Sequence, residues 1–335
     1  MFDFYSVTSI AFIFIITFLA TFIATPAVAK LMKRRGITGE DVHKLSKVKI
    51  PEMCGLAILF GLTIGITGYV ALRPSAIREA VAFLGTVLIA GGIGIVDDLR
   101  PLGARVKPLL TAVACLPILI LGTYVPDPVI PLIGPVRLTL VYPILIPIAI
   151  AITSNGINMM DIMNGSMPGT VAIIATAATA VLLISGDLQT ASLAAGLLAA
   201  MLAFYYFNRF PSRVFGGDTG SLAVGAALGA LAILGRIETV MVVAMIPHIM
   251  NAFYGLASVG GLRERREIHQ RPIRLLDNGL LKASTEKGAP VTVARLILAE
   301  GPLGEKDIVK GMMILTAVSS CLALLTYWIM VAVRL

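Results

Sequence analysis

The chain has 335 residues, of which 57% are hydrophobic and 14% charged, and its mean hydropathy is +0.92. Soluble domains carry about 25% charged residues, so a single aqueous core does not absorb this much apolar surface, whereas a bilayer solvates it directly. The net charge of +8 then points to loops that face anionic headgroups or an anionic substrate, and away from nucleic acid. Cys54, Cys115 and Cys321 lie in apolar stretches with no CxxC or Cys/His clustering, which indicates neither a disulfide framework nor a zinc site.

Ten uncharged windows follow in chain order: 4–29, 53–72, 80–96, 108–126, 138–160, 162–186, 188–208, 219–235, 239–262 and 311–333. A helix needs about 20 apolar residues to cross a hydrocarbon layer of roughly 30 Å, and each window is near that length. The first has no charged n-region and no A-x-A site followed by a polar mature chain, so it reads as a retained helix and not as a cleaved leader. The expected fold is an all-α bundle of about ten transmembrane helices, a single transmembrane domain over 1–335.

With ten spans the loops fall into two alternating sets. The loops around 30–52, 97–107, 155–168, 209–218 and 263–310 carry 22 of the 27 Lys and Arg residues. Positive loops stay in the cytoplasm, so this set is expected to be cytoplasmic and both termini outside. Asp97, Asp98, Asp161 and Asp218 all belong to the same set, each at or just beyond a helix end. Carboxylates at membrane depth are costly and usually mark a site. No charge sits in the middle of a span and no internal repeat is evident, which argues against a transporter.

Four segments carry the chemistry. Gly91–Asp98 ends a helix with adjacent carboxylates, which repel unless a cation shares them; the plain alternative is a solvated helix end. In the second, Asn155, Asn158, Asp161 and Asn164 recur every third residue. Their oxygens are hard ligands that suit Mg²⁺, although such a stripe also serves interhelical hydrogen bonding. The third, Phe215-Gly216-Gly217-Asp218-Thr219-Gly220-Ser221, is a glycine nest opening a helix. It favours phosphate and places an acid beside it, and its plain reading is a capped helix start. The fourth is the basic loop from Arg263 to Lys310, with His269, Arg271 and Arg274. Arginine grips phosphate by paired hydrogen bonds, but most of these charges read as topology signals.

Together these segments resemble the polyprenyl-phosphate N-acetylhexosamine-1-phosphate transferases, over most of the chain from about Gly39 to Lys310. The likeness is greatest to the archaeal and eukaryotic UDP-GlcNAc–dolichyl-phosphate GlcNAc-1-phosphotransferases. Gly39-Glu40-Asp41-Val42-His43-Lys44, followed by Ile50-Pro51-Glu52 and Gly55, is similar to that branch's nucleotide-binding loop. Asp97-Asp98 with Lys107, Asn155-x-x-Asn158 with Asn164-Gly165, and Phe215-x-Gly217-Asp218-Thr219 match its remaining motifs. Asp161 and Gly220-Ser221 look more like bacterial members, and the last loop lacks the bacterial His cluster.

The resemblance implies transfer of GlcNAc-1-phosphate from UDP-GlcNAc to a dolichyl or other polyprenyl phosphate, with release of UMP. A different UDP-N-acetylhexosamine, or undecaprenyl phosphate, is the alternative. It implies Mg²⁺, with Mn²⁺ able to substitute, held at Asn158 and Asp218. Asp97 or Asp98 would act on the lipid phosphate, and Lys107 and Arg271 would hold phosphate oxygens. Glu52, Asn164 and Phe215 would read the uridine. Glu40, Val42, Asn155, Asp161, Gly217, His269 and Arg274 complete the expected substrate contacts. Expected partners are the UDP-sugar, the lipid phosphate and membrane lipid, with no nucleic acid; a homodimer is compatible with this reading.

Overall fold

A computed structural model describes residues 4–262, 270–286 and 288–333. In chain order the helices are α1 (Phe4–Arg34), α2 (Gly55–Leu72), α3 (Ile77–Leu99), α4 (Val106–Val113), α5 (Leu116–Leu121), α6 (Tyr142–Met160), α7 (Ser166–Ser185), α8 (Leu188–Asn208), α9 (Gly217–Leu234), α10 (Glu238–Ala244), α11 (Ile246–Val259), α12 (Val293–Ile297) and α13 (Glu305–Val333). Three antiparallel hairpins sit in the loops. They are β1 (Thr38–Glu40) with β2 (Lys49–Pro51), β3 (Val129–Ile130) with β4 (Gly134–Pro135), and β5 (Ile273–Leu275) with β6 (Leu281–Ala283).

Among the described residues, eight helices are long and apolar enough to cross a membrane: α1, α2, α3, α6, α7, α8, α9 and α13. The chain is a multi-pass membrane protein. Among the described residues two of the ten apolar windows break, so eight long helices, a bent pair and the shorter Val106–Leu121 stand in their place. In 239–262, α10 and α11 meet at a bend of 65°. Pro247 has no N–H for the carbonyl of Val243 and so interrupts the helix. That carbonyl instead accepts from Ser319 Oγ of α13 at 2.6 Å. In 108–126, α4 stops at Val113 and α5 restarts with Pro117 in its first turn. The 16 residues of Val106–Leu121 rise about 24 Å at 1.5 Å per residue, short of the roughly 30 Å core. They still run from one end of the bundle to the other. Lys107 lies at the carboxyl end of α3, while the Leu121 carbonyl accepts from Arg78 Nε at 2.9 Å, beside the start of that helix.

α9 is the central helix, with 83% of its apolar window buried, against 22% for the peripheral α1. Its run of Gly and Ala lets α3 and α6 approach closely on either side, the usual way helices gain packing in lipid. At Gly94 of α3 an added Cβ would lie 2.3 Å from the Asp218 carbonyl oxygen, so the end of α3 is seated against the start of α9. A smaller apolar cluster, which includes Met160, Ile273, Leu281, Val293 and Met312, lies under the last loop. It anchors the β5–β6 hairpin and α12 beside the ends of α6 and α13.

Candidate active site

Four helix ends converge at one end of the bundle: the carboxyl ends of α3 and α6 and the amino ends of α4 and α9. The Lys107 ammonium lies at the centre. It donates to Asp218 Oδ2 at 2.6 Å and Asn158 Oδ1 at 3.0 Å, and it pairs with Asp97 Oδ2 at 2.6 Å. An ammonium has three donors, and all three are used, each on a different helix. Lys107 and Asp97 are largely withdrawn from solvent, at 17% and 6% exposure, while Asp218 is partly open at 30%.

The adjacent acids have different tasks. Asp98 turns both oxygens to the amino end of α9, accepting from Asp218 N at 2.7 Å, Thr219 N at 2.9 Å and Thr219 Oγ1 at 2.6 Å. It caps a helix from outside that helix, satisfying donors that a helix start leaves open. Gly217 makes this approach feasible. Its φ is +69°, and a Cβ there would fall 2.6 Å from Asp98 Oδ2. Asp97, by contrast, faces Lys107 and steadies the turn after α3 by accepting from Leu102 N at 2.5 Å.

Asn158 donates to Asp218 Oδ1 at 2.5 Å and Ser221 Oγ at 2.8 Å. Ser221 is three residues beyond Asp218 and shares its helix face. Asn155, one turn deeper, donates to Thr111 Oγ1 at 2.8 Å and to the Ala151 carbonyl. Lys107 and Thr111 are themselves four residues apart on α4. The asparagine stripe of α6 therefore meets one face of α4, with its outer rung in the site and its inner rung in the helix seam.

These groups fit a hard divalent cation: two carboxylates and an amide oxygen already surround one positive nitrogen. Among the described residues, no cluster of three or more His, Cys, Asp or Glu side chains is arranged to hold a metal. Asp218 Oδ2 and Asn158 Oδ1, which accept from Lys107, are the oxygens that would face a cation, with the other positions left to water and ligand, as Mg²⁺ prefers.

Residues 80–236 match glycosyl transferase family 4. A Sulfolobus acidocaldarius protein carrying the name "Putative UDP-N-acetylglucosamine--dolichyl-phosphate N-acetylglucosaminephosphotransferase" is 31% identical over 71% of this chain and 74% of its own length. The chain belongs to this family. The family-4 chain is also 30% identical to the phospho-N-acetylmuramoyl-pentapeptide-transferase of Desulforamulus reducens, over 68% of this chain and 74% of that one. It is 29% identical to a Bacillus subtilis protein named "Probable undecaprenyl-phosphate N-acetylglucosaminyl 1-phosphate transferase", over 79% and 74%. The protein is a membrane transferase.

Around this centre the family-4 chain folds its first loop against the α9 turn. Phe215 N donates to the Pro51 carbonyl at 2.8 Å and Cys54 N to the Phe215 carbonyl at 2.9 Å. The side chains of Glu52 and Phe215 flank Gly39, where a Cβ would stand 3.2 Å from Glu52 Oε2 and 3.3 Å from the Phe215 ring. Two of the three expected uridine readers are thereby brought together. The third, Asn164, is only 4% exposed, with its side chain bonded to Asp41. Glu40 and Val42 are exposed on the β1–β2 loop, whereas Asp41 between them is buried.

Asp41 and His43 lie in that loop. Burial acts to raise the Asp41 carboxyl, but hydrogen bonds from Lys44 and Asn164 outweigh it and hold the group below its ordinary value. Burial lowers the His43 imidazole, Asp41 opposes this, and the charge of Arg271 reinforces it. Arg274 does not reach inward; it pairs with Glu286, just past β6, and both side chains are exposed. His269 lies outside the described residues. Asp161, just past α6, has its carboxyl pushed up to about 7 by burial, opposed by a hydrogen bond from Ser166.

Asp41, Thr219 and Ser221 lie inside the motifs read from sequence but carry no site role there, and Glu305 is not named at all. Ser221 was accessible through its spacing from Asp218. Glu305 has no local signal, since it meets Asn164 across 141 residues of chain.

Proposed function

We propose that the protein transfers N-acetylglucosamine-1-phosphate from UDP-GlcNAc to a dolichyl or related polyprenyl phosphate, releasing UMP, in the first membrane step of lipid-linked oligosaccharide synthesis. The observation that carries this reading is Lys107 held among Asp97, Asn158 and Asp218 at the start of α9, beside the Glu52–Phe215 pair. A diphosphate needs a cationic group and helix N–H donors, and a nucleoside base needs an aromatic face and acceptors. The relative from Sulfolobus is named for this reaction.

In the reaction an oxygen of the lipid phosphate attacks the sugar-linked phosphorus. The bond to the bridging oxygen breaks, and UMP leaves with that oxygen and its electron pair. Such transfers depend on positioning and charge neutralisation. Lys107 neutralises phosphate oxygens and keeps Asp97 and Asp218 from repelling each other. Asp97 orients the incoming lipid phosphate, which is mostly dianionic at neutral pH, with a second pKa near 6, and needs no strong base. Asp98 acts through Asp218, because both its oxygens are given to the α9 amino end. Asp218 and Asn158 would hold Mg²⁺, which would supply charge stabilisation for the leaving group when bound. Phe215 and Glu52 take the base, and Arg271 takes phosphate. A second reading, with undecaprenyl phosphate as acceptor, draws on the name of the Bacillus relative.

Purified protein incubated with radiolabelled UDP-sugars and several polyprenyl phosphates, followed by lipid extraction, tests the reading. Labelled lipid with UMP release supports it. Release of UDP would mean glycosyl transfer and would overturn it. The site is taken to face the cytoplasm. Cysteines placed near Lys47 and Lys282 should then label only from that side, and one near Pro128 only from outside.

A further inference from the structure

Asn164 is held from two directions by groups that come from distant parts of the chain. Its side-chain N–H donates to Asp41 Oδ2 at 2.9 Å, and its backbone N–H donates to Glu305 Oε1 at 2.8 Å. Asp41 belongs to the β1–β2 loop and Glu305 opens α13. Both carboxyls are buried, at 5% and 6% exposure. A carboxylate is an acceptor, so Asp41 fixes which end of the Asn164 amide faces it. The amide oxygen must turn away, and it accepts no hydrogen bond among the described residues. One N–H and one oxygen are left in a set orientation, the pairing that an imide edge of a uracil ring presents in reverse.

Glu305 has a second oxygen, Oε2, that is buried without a hydrogen-bond partner. Burying a carboxyl with an unused oxygen is unfavourable. Among the described residues its one hydrogen bond is to Asn164, and no cation pairs with it. Asp41 is tied in turn to Lys44 Nζ at 2.6 Å, and that ammonium stands over the Phe210 ring at 4.8 Å. These bonds connect loop, asparagine and last helix.

We propose that Asp41 and Glu305 are positioning residues: they orient the Asn164 amide, and with it the β1–β2 loop, so that the protein selects a uracil nucleotide over a cytosine one. This rests on the nucleotide reading given above.

The test is binding of UMP and CMP to purified full-length protein by calorimetry, alongside steady-state kinetics with the UDP-sugar. Wild-type protein should prefer UMP. In Asp41→Ala and Glu305→Ala the UMP preference should fall about tenfold, the scale of one or two lost hydrogen bonds. KM for the UDP-sugar should rise by a similar factor while kcat changes by less than about threefold, since uniform binding is what is lost. Glu305→Gln keeps an acceptor for Asn164 and should retain the preference. Folded alanine variants with the wild-type preference would overturn the proposal. If the alanine variants do not fold, Asp41→Asn carries the test: its amide can turn either end to Asn164, so the UMP preference should narrow there while Glu305→Gln keeps it, and an unchanged preference in Asp41→Asn would overturn the proposal. Wild-type protein that binds UMP and CMP alike would remove the nucleotide reading and the proposal with it. A UMP preference without sugar-phosphate transfer would sink the reaction alone and leave the positioning role standing.

Discussion

The two ends of the bundle both carry charged contacts, but they are built differently. At the end away from the site, Arg236 pairs with Asp127 at 2.6 Å with 45% and 34% of the side chains exposed. Arg78 caps the end of α5 through the Leu121 and Gly122 carbonyls. Tyr142 donates to Glu238. Each is a local tie that closes one loop on one neighbour. At the site end a single ammonium joins α4 to α3, α6 and α9, and an acid of one helix caps another. A charge taken from water and shared by several oxygens is costly to assemble. Exposed pairs, in contrast, cost and contribute little. Where charge is concentrated, buried and drawn from many elements, the chain has function to support.

The contrast breaks most visibly at Asp218. Asp218→Ala should lower turnover by several orders of magnitude, in line with the several kcal/mol that a metal and its ligands contribute to a charged transition state. Initial rates on monodisperse protein check this. Near-normal, Mg²⁺-dependent turnover would move the metal elsewhere. Lys107→Met comes next, with a loss of about 10²- to 10³-fold, the scale for removing one fixed charge aimed at the reacting group. It also sharpens the comparison. Without the ammonium, Asp97 and Asp218 need another cation, so Mg²⁺ should raise the melting temperature more in this variant than in wild type.

Removing Mg²⁺ with a chelator should abolish turnover in wild type, and Asn158→Ala should shift the Mg²⁺ requirement upward so that excess metal partly restores rate. A titration of rate against Mg²⁺ decides it. Asp161 gives a smaller, pH-dependent effect. Its folded pKa of about 7 lies above the unfolded 3.8, so its contribution is complete below the lower value and lost as pH rises through the upper one. Asp161→Asn should therefore gain thermal stability over wild type increasingly from pH 5 to 7, with no further gain above. An equal gain at pH 4 and 8 would contradict the assignment. Smallest of all, Arg236→Ala should change stability by less than about 1 kcal/mol and leave turnover unaltered, measured by thermal melting and the same rate assay.

Much of the fold is written in local sequence. The window 188–208 is α8, residue for residue, and 53–72 and 219–235 differ from α2 and α9 by two residues or fewer at each end. The failures are physical. An uncharged window measures hydropathy and not helix continuity, so the breaks before Pro117 and Pro247 passed unseen although both prolines were in view. The hairpins are strands of two or three residues, too short to show alternation. In the site, Asp97, Asp98, Asn158 and Asp218 were legible because acids and amides at helix ends are rare in so apolar a chain, and Lys107 through the family resemblance. The division of labour between Asp97 and Asp98 was not, since neighbouring residues on a helix point about 100° apart and only the partner helix decides which meets what. Asn155 and Asn164 share the spacing and the family motif of Asn158, but spacing does not show that the first bonds Thr111 in a helix seam and that the second is oriented by Asp41.

The contact at Gly94 has a consequence for any attempt to retrain the enzyme on a new donor. Even one methyl group there would collide with the backbone that carries Asp218, so libraries that vary the end of α3 will return mostly inactive clones, whatever donor is offered. The β1–β2 loop offers the opposite prospect. Val42 and Val48 are 44% and 56% exposed, and side chains there can be exchanged without moving a helix. Selection for altered donor choice has its freedom on that rim, while the floor beneath is closed to it.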